Sequence, residues 1–130
     1  MEFKLEHIGL PAHAPQALAD WYVRVLDASL VDAAGNTPPL FVRLPGGVLL
    51  EIYNATGDMP QTRDNGLAGF RHLALRVASI ESAKAELEQR GVKFTEPVKP
   101  AAGGGRVLFF NDAEGNLLHL VERTADLVFR

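Results

Sequence analysis

Three histidines and one glutamate stand at repeated positions in stretches that have the pattern of β-strands. His7 and His72 lie 65 positions apart, and Glu51 and His119 lie 68 positions apart, so almost one offset relates the two pairs. Imidazole nitrogens and carboxylate oxygens are common ligands of divalent transition metals. Because an internal repeat is stronger support than a lone motif, the spacing predicts one divalent metal centre formed by these four side chains.

The alternation of polar and apolar residues predicts where these four side chains point. Large aliphatic residues lie on the opposite parity in each strand, such as Ile8 and Leu10 after His7 and Leu50 and Ile52 around Glu51, and a strand places them on the opposite face. The carboxylate of Glu51 then shares its face with Leu49 and Tyr53. An uncompensated charge in such surroundings is costly, so Glu51 is expected to have a partner.

The elements that must position these residues form the same series twice. The first series predicts a strand over 3–12, a helix from Pro15 and a hairpin of strands 40–44 and 48–55. The second series predicts a strand over 70–77 and a helix that is capped by Ser79 and ends at Gly91. Three further strands are predicted over 92–95, 107–111 and 117–122.

We therefore predict an α+β fold of two paired βαβββ modules in a single domain, 1–130. Module 1 spans 1–56, module 2 spans 69–130, and turn-forming residues 57–68 link them. Each module alone would expose one sheet face, which is the physical reason for two modules to pair.

Composition narrows the function classes. The chain has 47% apolar residues, a net charge of −3 and no cysteine, which excludes thiolate ligands, disulfides and a cysteine nucleophile. It has no run of like charges typical of nucleic-acid binding, and no apolar stretch long enough to be a signal or a membrane span. We expect a cytoplasmic protein with a small-molecule substrate and with neither nucleic acid nor membrane as a partner.

Four segments carry a resemblance to a known family. They are LEHIGL at 5–10, WYVRVL at 21–26, FRHLAL at 70–75 and FFNDAEGNLL at 109–118, of which the last is the most specific. They resemble successive signatures of the vicinal oxygen chelate superfamily, which includes glyoxalase I, bleomycin-resistance proteins, methylmalonyl-CoA epimerase and extradiol dioxygenases. The resemblance runs nearly end to end.

The resemblance implies a U-shaped mixed sheet with the metal inside and the helices outside. It also implies that His7, Glu51 and His72 occupy family ligand positions. His119 departs from the pattern, because metal-dependent isomerases of the family usually carry a glutamate there that also moves the substrate proton. With a neutral imidazole in place of a glutamate carboxylate, the net charge of the site is more positive by one. The ordinary pKa of imidazole, about 6.5, also suits a general base. His119 is therefore either a ligand or a base, and the candidate catalytic residues are His119 and Glu51.

The ligand set restricts the metal and the reaction. Three imidazoles disfavour Ca²⁺ and Mg²⁺ and leave Zn²⁺, Ni²⁺, Mn²⁺, Fe²⁺ or Co²⁺. Four protein ligands leave about two positions on an octahedral ion, enough for a bidentate substrate but too few for a chelated substrate and O₂.

Three functions follow from the resemblance. The favoured one is a glyoxalase I-like isomerase, epimerase or lyase that acts on a small chelating carbonyl or acidic substrate through a metal-bound enediolate. The alternative is a non-catalytic, bleomycin-resistance-like binding protein, and a weaker alternative is an extradiol-type dioxygenase. Arg76 and Arg106 are candidates for steering an acidic substrate. The resemblance also implies a homodimer, in which modules are sometimes exchanged so that ligands come from two chains.

Overall fold

The computed structural model describes residues 1–31, 37–60 and 62–124. The chain forms two compact units, 1–60 and 61–130, each with one four-stranded mixed sheet and one helix. The α+β class and the two βαβββ modules predicted from the sequence are confirmed. The predicted linker, 57–68, divides between the units, and its described residues form turns.

The first unit contains one long helix and four strands. In chain order these are β1 (Ile8–Ala12), α1 (Pro15–Leu26), β2 (Ser29–Val31), β3 (Leu40–Arg43) and β4 (Leu49–Asn54). The strand order in the sheet is β1-β4-β3-β2, with β1 parallel to β4 and the other neighbours antiparallel. The first strand therefore lies beside the last.

The second unit repeats this arrangement. Its elements are β5 (His72–Arg76), α2 (Ile80–Gln89), β6 (Lys99–Pro100), β7 (Arg106–Asn111) and β8 (Leu117–Glu122). The strand order is β5-β8-β7-β6, and again only the first and last strands pair in parallel.

Each sheet packs its helix against one face. In the first unit, α1 lies on β3 and β4 and buries Leu18, Tyr22 and Val25. In the second, α2 lies on β7 and β8 and buries Ile80 and Leu87. The sheet residues of these cores are alternate positions, Leu40, Val42, Leu50 and Ile52 in the first unit and Leu108, Phe110, Leu118 and Leu120 in the second. The predicted ligands fall on the other parity, away from the helices.

The helix ends follow from local sequence. Pro15 opens α1, and Asp27 ends it in the left-handed conformation with φ of 57°. The Ser79 side chain accepts a hydrogen bond from the Ser82 amide at 3.2 Å and caps α2, as predicted. Neither helix of the described residues has the length and apolar character needed to cross a bilayer.

Two predicted strands begin later than the alternation suggested. Residues 3–7 and 70–71 lie outside β1 and β5, and Phe3 and Phe70 are exposed. The reason is the extent of the partner strand, because β4 begins only at Leu49 after the turn at 45–48 and offers no backbone to residues 3–6.

The predicted strand over 92–95 is wrong. The amide of Val92 donates to the carbonyl of Leu87 at 3.0 Å, which ties this segment to the end of α2, and Phe94 packs on Phe110 with ring centroids 5.5 Å apart. The apolar residues of this segment therefore pack in the core. The edge strand of the sheet is instead the two-residue β6. The three-residue β2 was not predicted, because it is too short to show a period.

The turn between β7 and β8 is organised by a buried carboxylate. Asp112 accepts hydrogen bonds from the amides of Glu114 and Asn116 at 2.9 Å each, and from the side-chain amide of Asn116 at 2.8 Å. Gly115 supplies the positive φ of 89° that the turn requires. The turn fixes where β8 begins and therefore where His119 lies in the sheet.

Replacing Asp112 with Ala is expected to lower the free energy of unfolding by about 2–3 kcal/mol, because three donors lose a charged acceptor. Asp112→Asn keeps one acceptor oxygen for the two backbone amides and should lose less than half as much. Urea unfolding followed by circular dichroism measures both. Equal losses in the two variants, or no loss in either, would contradict this role of the carboxylate.

Candidate functional site

In the second unit, parallel pairing brings two imidazoles together. Ala74 of β5 lies opposite His119 of β8, so His72, two residues earlier on the same face, lies diagonally next to His119. Their ring centroids are 4.6 Å apart, with the planes at 77°. Phe109 of β7 lies opposite His119 and stacks on it at 4.8 Å, and it contacts His72 edge-on at 5.8 Å.

Hydrogen bonds on one nitrogen of each ring leave the other nitrogen available. His72 Nδ1 donates to Asn65 Oδ1 at 2.7 Å, and His119 Nδ1 donates to the carbonyl of Leu120 at 3.3 Å. In both rings the lone pair is then on Nε2. A metal-binding histidine is commonly oriented in this way by a bond to its second nitrogen.

His119 is the more buried of the two histidines, with 6% of its surface exposed. Burial lowers the pKa of His119, and the neighbouring His72 and Arg123 act in the same direction, while the bond to Leu120 opposes them. The neutral imidazole is therefore favoured, and only that form carries a lone pair for a metal or a proton.

The first unit places its two candidate residues in the same geometry. Gly9 of β1 lies opposite Glu51 of β4, and His7 immediately precedes β1 on the same parity as Gly9. Phe41 of β3 lies opposite Glu51, and its ring meets that of His7 edge-on with centroids 6.2 Å apart. A β-carbon at Gly9 would lie 3.4 Å from the ring of Tyr53, so the glycine gives that ring its place on this face.

The carboxylate of Glu51 bonds to no residue among those that the structure describes, although its side chain is half-buried. His7 Nδ1 approaches Glu6 Oε1 at 2.8 Å, which orients its ring as Asn65 orients His72. A half-buried carboxylate without a bonded partner is costly unless a cation compensates it. The partner that the sequence predicts for Glu51 therefore does not come from a described side chain.

Each unit contributes one pair of the four predicted ligands, His7 with Glu51 and His72 with His119. Within residues 1–31, 37–60 and 62–124, no group of three or more His, Asp or Glu side chains is assembled to hold a metal ion. The chemistry of the donors nevertheless suits a divalent transition metal, since the set offers three imidazoles with oriented rings and one carboxylate that bonds to no described residue. The four-ligand centre stays a prediction.

The two arginines expected to steer a substrate occupy different surroundings. Arg76 lies on the face of β5 that carries His72. Arg106 donates to both oxygens of Glu81, at 2.7 and 3.0 Å, and to Glu122 at 2.9 and 3.1 Å. Glu122 also accepts from the amide of Ile80 at the start of α2, so these bonds join the helix to β7 and β8.

The triple glycine 103–105 turns carbonyls, not amides, toward its charged neighbour. Arg123 donates to the carbonyls of Ala102 and Gly104, and a β-carbon at Gly105 would lie 2.0 Å from the carbonyl oxygen of Glu122. The glycines therefore permit a close approach of backbone to backbone. This arrangement differs from a phosphate-binding loop, in which backbone amides of a glycine-rich segment point toward the anion.

Sequence reasoning missed the residues that support the imidazoles. Phe41 and Phe109 are related by the same offset of 68 as Glu51 and His119, so the repeat itself contained that signal. Asn65 lies in a stretch rich in turn formers without periodicity, and nothing in the sequence indicates its bond to His72.

The lowered pKa of His119 predicts how stability depends on pH. In metal-free protein the unfolded chain binds the proton of this residue near pH 6.5, while the folded chain resists it until lower pH. Above about pH 6.5 this histidine therefore has no effect on stability. As the pH falls below 6.5, the free energy of unfolding decreases, by at most about 1.4 kcal/mol per pH unit from His119 alone. His119→Gln should flatten the fall in urea unfolding measured from pH 7.5 to 5.

The control is His13→Gln, because His13 is exposed and its ring bonds to Asp58, another residue of the first unit. The His13→Gln variant should lose stability below pH 6.5 as the wild type does. An unchanged pH profile in His119→Gln would contradict the assignment of that loss to His119.

Comparison with known proteins gives the same picture of the fold. The model of the Glyoxalase/Bleomycin resistance protein/Dioxygenase superfamily matches residues 4–120. A glyoxalase family protein from Enterococcus faecalis is 30% identical, with a TM-score of 0.73, and the match covers 92% of this chain and 97% of that one.

Two further relatives extend the comparison. The fosfomycin resistance protein FosX from Listeria monocytogenes, solved with Mn(II) and 1S,2S-dihydroxypropylphosphonic acid, is 22% identical, with a TM-score of 0.71 over 97% of this chain and 94% of that one. At that identity the likeness concerns the fold. The uncharacterized protein YwkD of Bacillus subtilis is 37% identical over 87 residues, which span 65% of this chain and 66% of that protein.

The repeated sheet, the two matching pairs of site residues and the family match over 4–120 lead to one conclusion: the chain belongs to the Glyoxalase/Bleomycin resistance protein/Dioxygenase superfamily.

Proposed function

We propose that this protein is a metal-dependent enzyme in which His7, Glu51, His72 and His119 hold one divalent cation. Its substrate is a small carbonyl or acidic compound that presents two neighbouring oxygen atoms, and its reaction is an isomerisation, an epimerisation or a lyase-type cleavage. We further propose that it acts as a cytoplasmic homodimer.

The observation that carries this proposal is that the two units present matched pairs of metal-competent side chains at equivalent register. Glu51 lies opposite Gly9 and Phe41, and His119 lies opposite Ala74 and Phe109. A purely structural role would not require a polar residue at the same point of both sheets. The unbonded carboxylate of Glu51 supports a cation on this face.

The ligand set suits a borderline or soft divalent ion. Three neutral imidazoles and one carboxylate leave a divalent ion with a net charge of about +1, which favours an anionic chelating substrate. The Mn(II) complex of FosX is a property of that protein, and it supports the use of a divalent metal in this superfamily. Zn²⁺, Ni²⁺, Mn²⁺, Fe²⁺ and Co²⁺ all fit the donors.

A metal bound here would act as a Lewis acid that polarises a carbonyl oxygen and stabilises negative charge as it develops. The chain's own residues do the rest. Asn65 and the Leu120 carbonyl hold the rings of His72 and His119 with Nε2 free, and Phe109 packs against both rings. This limits the reorganisation needed when a ligand binds.

Two side chains can move the substrate proton. Glu51 has an unbonded carboxylate, and His119 has a lone pair on Nε2 that its lowered pKa keeps available near neutral pH. Because an imidazole held by stacking at 4.8 Å is the more fixed of the two, we assign His119 to the ligand set and Glu51 to both binding and proton transfer.

Full-length protein titrated with Co²⁺, Ni²⁺, Mn²⁺ or Zn²⁺ is expected to bind one ion per chain, because each chain supplies one pair of ligands from each unit. His72→Ala should weaken binding at least about 100-fold, since even the loss of an outer partner of a ligand costs roughly 10–100-fold. Isothermal titration calorimetry and elemental analysis measure affinity and stoichiometry.

His13→Ala is the control and should bind as the wild type does, because His13 is exposed, bonds to Asp58 and is not one of the four proposed ligands. A wild-type chain that takes up no metal stoichiometrically would overturn the enzyme proposal and favour the non-catalytic binding protein. Unchanged affinity in His72→Ala would remove this residue from the ligand set.

A mixing experiment shows whether one metal site uses one chain or two. One variant carries His7→Ala and Glu51→Ala, the other His72→Ala and His119→Ala, and neither should bind metal alone. If the units are exchanged between chains, unfolding and refolding the mixture restores one intact site in each mixed dimer, or about one ion per four chains for random pairing. No restoration assigns all four ligands to the same chain.

A further inference from the structure

A cavity of about 220 Å³ lies inside the second unit, next to the imidazole pair. Its lining residues are Arg63, Asp64, Asn65, Glu96, Lys99, Phe109 and Leu117. Two of them also contact the site residues, since Asn65 bonds to His72 and the ring of Phe109 packs against His72 and His119. The cavity therefore shares Asn65 and Phe109 with the surroundings of the imidazole pair.

Most of the charged groups in the lining are already engaged. Lys99 Nζ bonds to Glu96 Oε2 at 3.2 Å and lies 5.9 Å from the ring centre of Phe109. Asp64 Oδ1 accepts the amide of Gly66 at 2.9 Å, which closes a tight turn. The guanidinium of Arg63 differs, because it bonds to no residue among those described.

The side chain of Arg63 is exposed, and its guanidinium lies beside Gly115 of the turn between β7 and β8, where a β-carbon would be 2.8 Å from both Nε and Nη2. Because this guanidinium bonds to no described residue, its five N–H donors are available for a ligand. Its planar fork matches the two oxygens of a carboxylate or a phosphate.

We propose that Arg63 binds an oxyanion of the substrate, a carboxylate or a phosphate-type group, and so determines specificity at the candidate metal site. The inference rests on the proposed function and adds the chemical class of the substrate to it. Phe109 and Leu117 supply an apolar wall for the carbon atoms between that oxyanion and the oxygens near the metal ligands.

The position of Arg63 connects recognition to the metal ligands. Arg63 lies two residues before Asn65 in the chain, and Asn65 orients His72. An oxyanion on Arg63 therefore places the substrate against the wall that carries the imidazole pair. Binding of the oxyanion to Arg63 would then orient the reacting end of the substrate. Binding energy used in this way increases the rate of the reaction.

The size and charge of the cavity limit the ligand. A volume of about 220 Å³ corresponds to roughly seven water molecules at about 30 Å³ each, enough for an oxyanion and a short carbon chain. Two acidic and two basic residues line it, so its formal charge is balanced. This suits one small anionic group and not a polyanion.

The test is a titration of the full-length protein, as purified and with its metal content measured, with inorganic phosphate and separately with acetate at constant ionic strength. Two-dimensional NMR follows the side-chain Nε–H of Arg63 and the amides of Asn65 and Gly115. At least one of the two anions should shift these signals saturably, and the one that binds more tightly identifies the oxyanion class. Arg63→Gln should weaken that binding about 10-fold or more, and Arg63→Lys should weaken it less, because it keeps the charge but loses the fork.

Arg90→Gln is the matched control, since Arg90 pairs with Glu86 on the surface of α2 and should leave anion binding unchanged. Failure of both anions to bind the wild type, or equal binding by Arg63→Gln, overturns the inference even if metal binds stoichiometrically. Saturable anion binding in a protein that takes up no metal would keep the Arg63 site and overturn the proposed enzyme. Loss of metal in Arg63→Gln would show that the residue is structural and would also overturn its role in specificity.

Discussion

Parallel pairing of the first and last strands in each unit is the constraint on which the candidate site depends. It sets Gly9 opposite Glu51 in one sheet and Ala74 opposite His119 in the other, so a small residue faces the candidate ligand in the last strand of each sheet. The histidine two positions earlier, His7 or His72, then becomes the diagonal neighbour of that ligand on the same face. An antiparallel pair in this position would change the register and separate the two members of each half-site.

The opposite faces of the sheets hold this geometry in place. Alternate residues of β4 and β8 are buried against the helices, so neither strand can slip by one position without exposing its apolar set. In the second unit the ends of β8 are further fixed, at the start by the Asp112 turn and at the end by Glu122, which joins Arg106 to the first amide of α2. Rigid packing on one face thus supports a polar arrangement on the other, which an enzyme requires for preorganised ligands.

The sequence alone was sufficient for the repeat, for the parity of the four candidate ligands and for both helices, because these depend on local periodicity and on cap residues such as Pro15 and Ser79. It failed where the outcome depends on partner strands. Residues 3–6 alternate as a strand does but have no strand of the sheet opposite them, and residues 92–95 pack against the end of α2 and the core. The contacts of Asn65 and Arg63 were beyond prediction for a different reason, because aperiodic turns carry no signal of what their side chains will meet. Phe41 and Phe109 could have been found from the repeat offset.

The central claim is that three imidazoles and one carboxylate share a single ion. X-ray absorption spectroscopy of the protein loaded with one equivalent of Zn²⁺ or Co²⁺ tests it most directly, because the outer-shell scattering of imidazole rings counts them. We expect a first shell of nitrogen and oxygen at about 2.0–2.2 Å with the scattering of three imidazoles. In a protein carrying Glu51→Gln the same three rings should remain while the ion binds more weakly. A spectrum with one imidazole or none in the wild type would contradict the account.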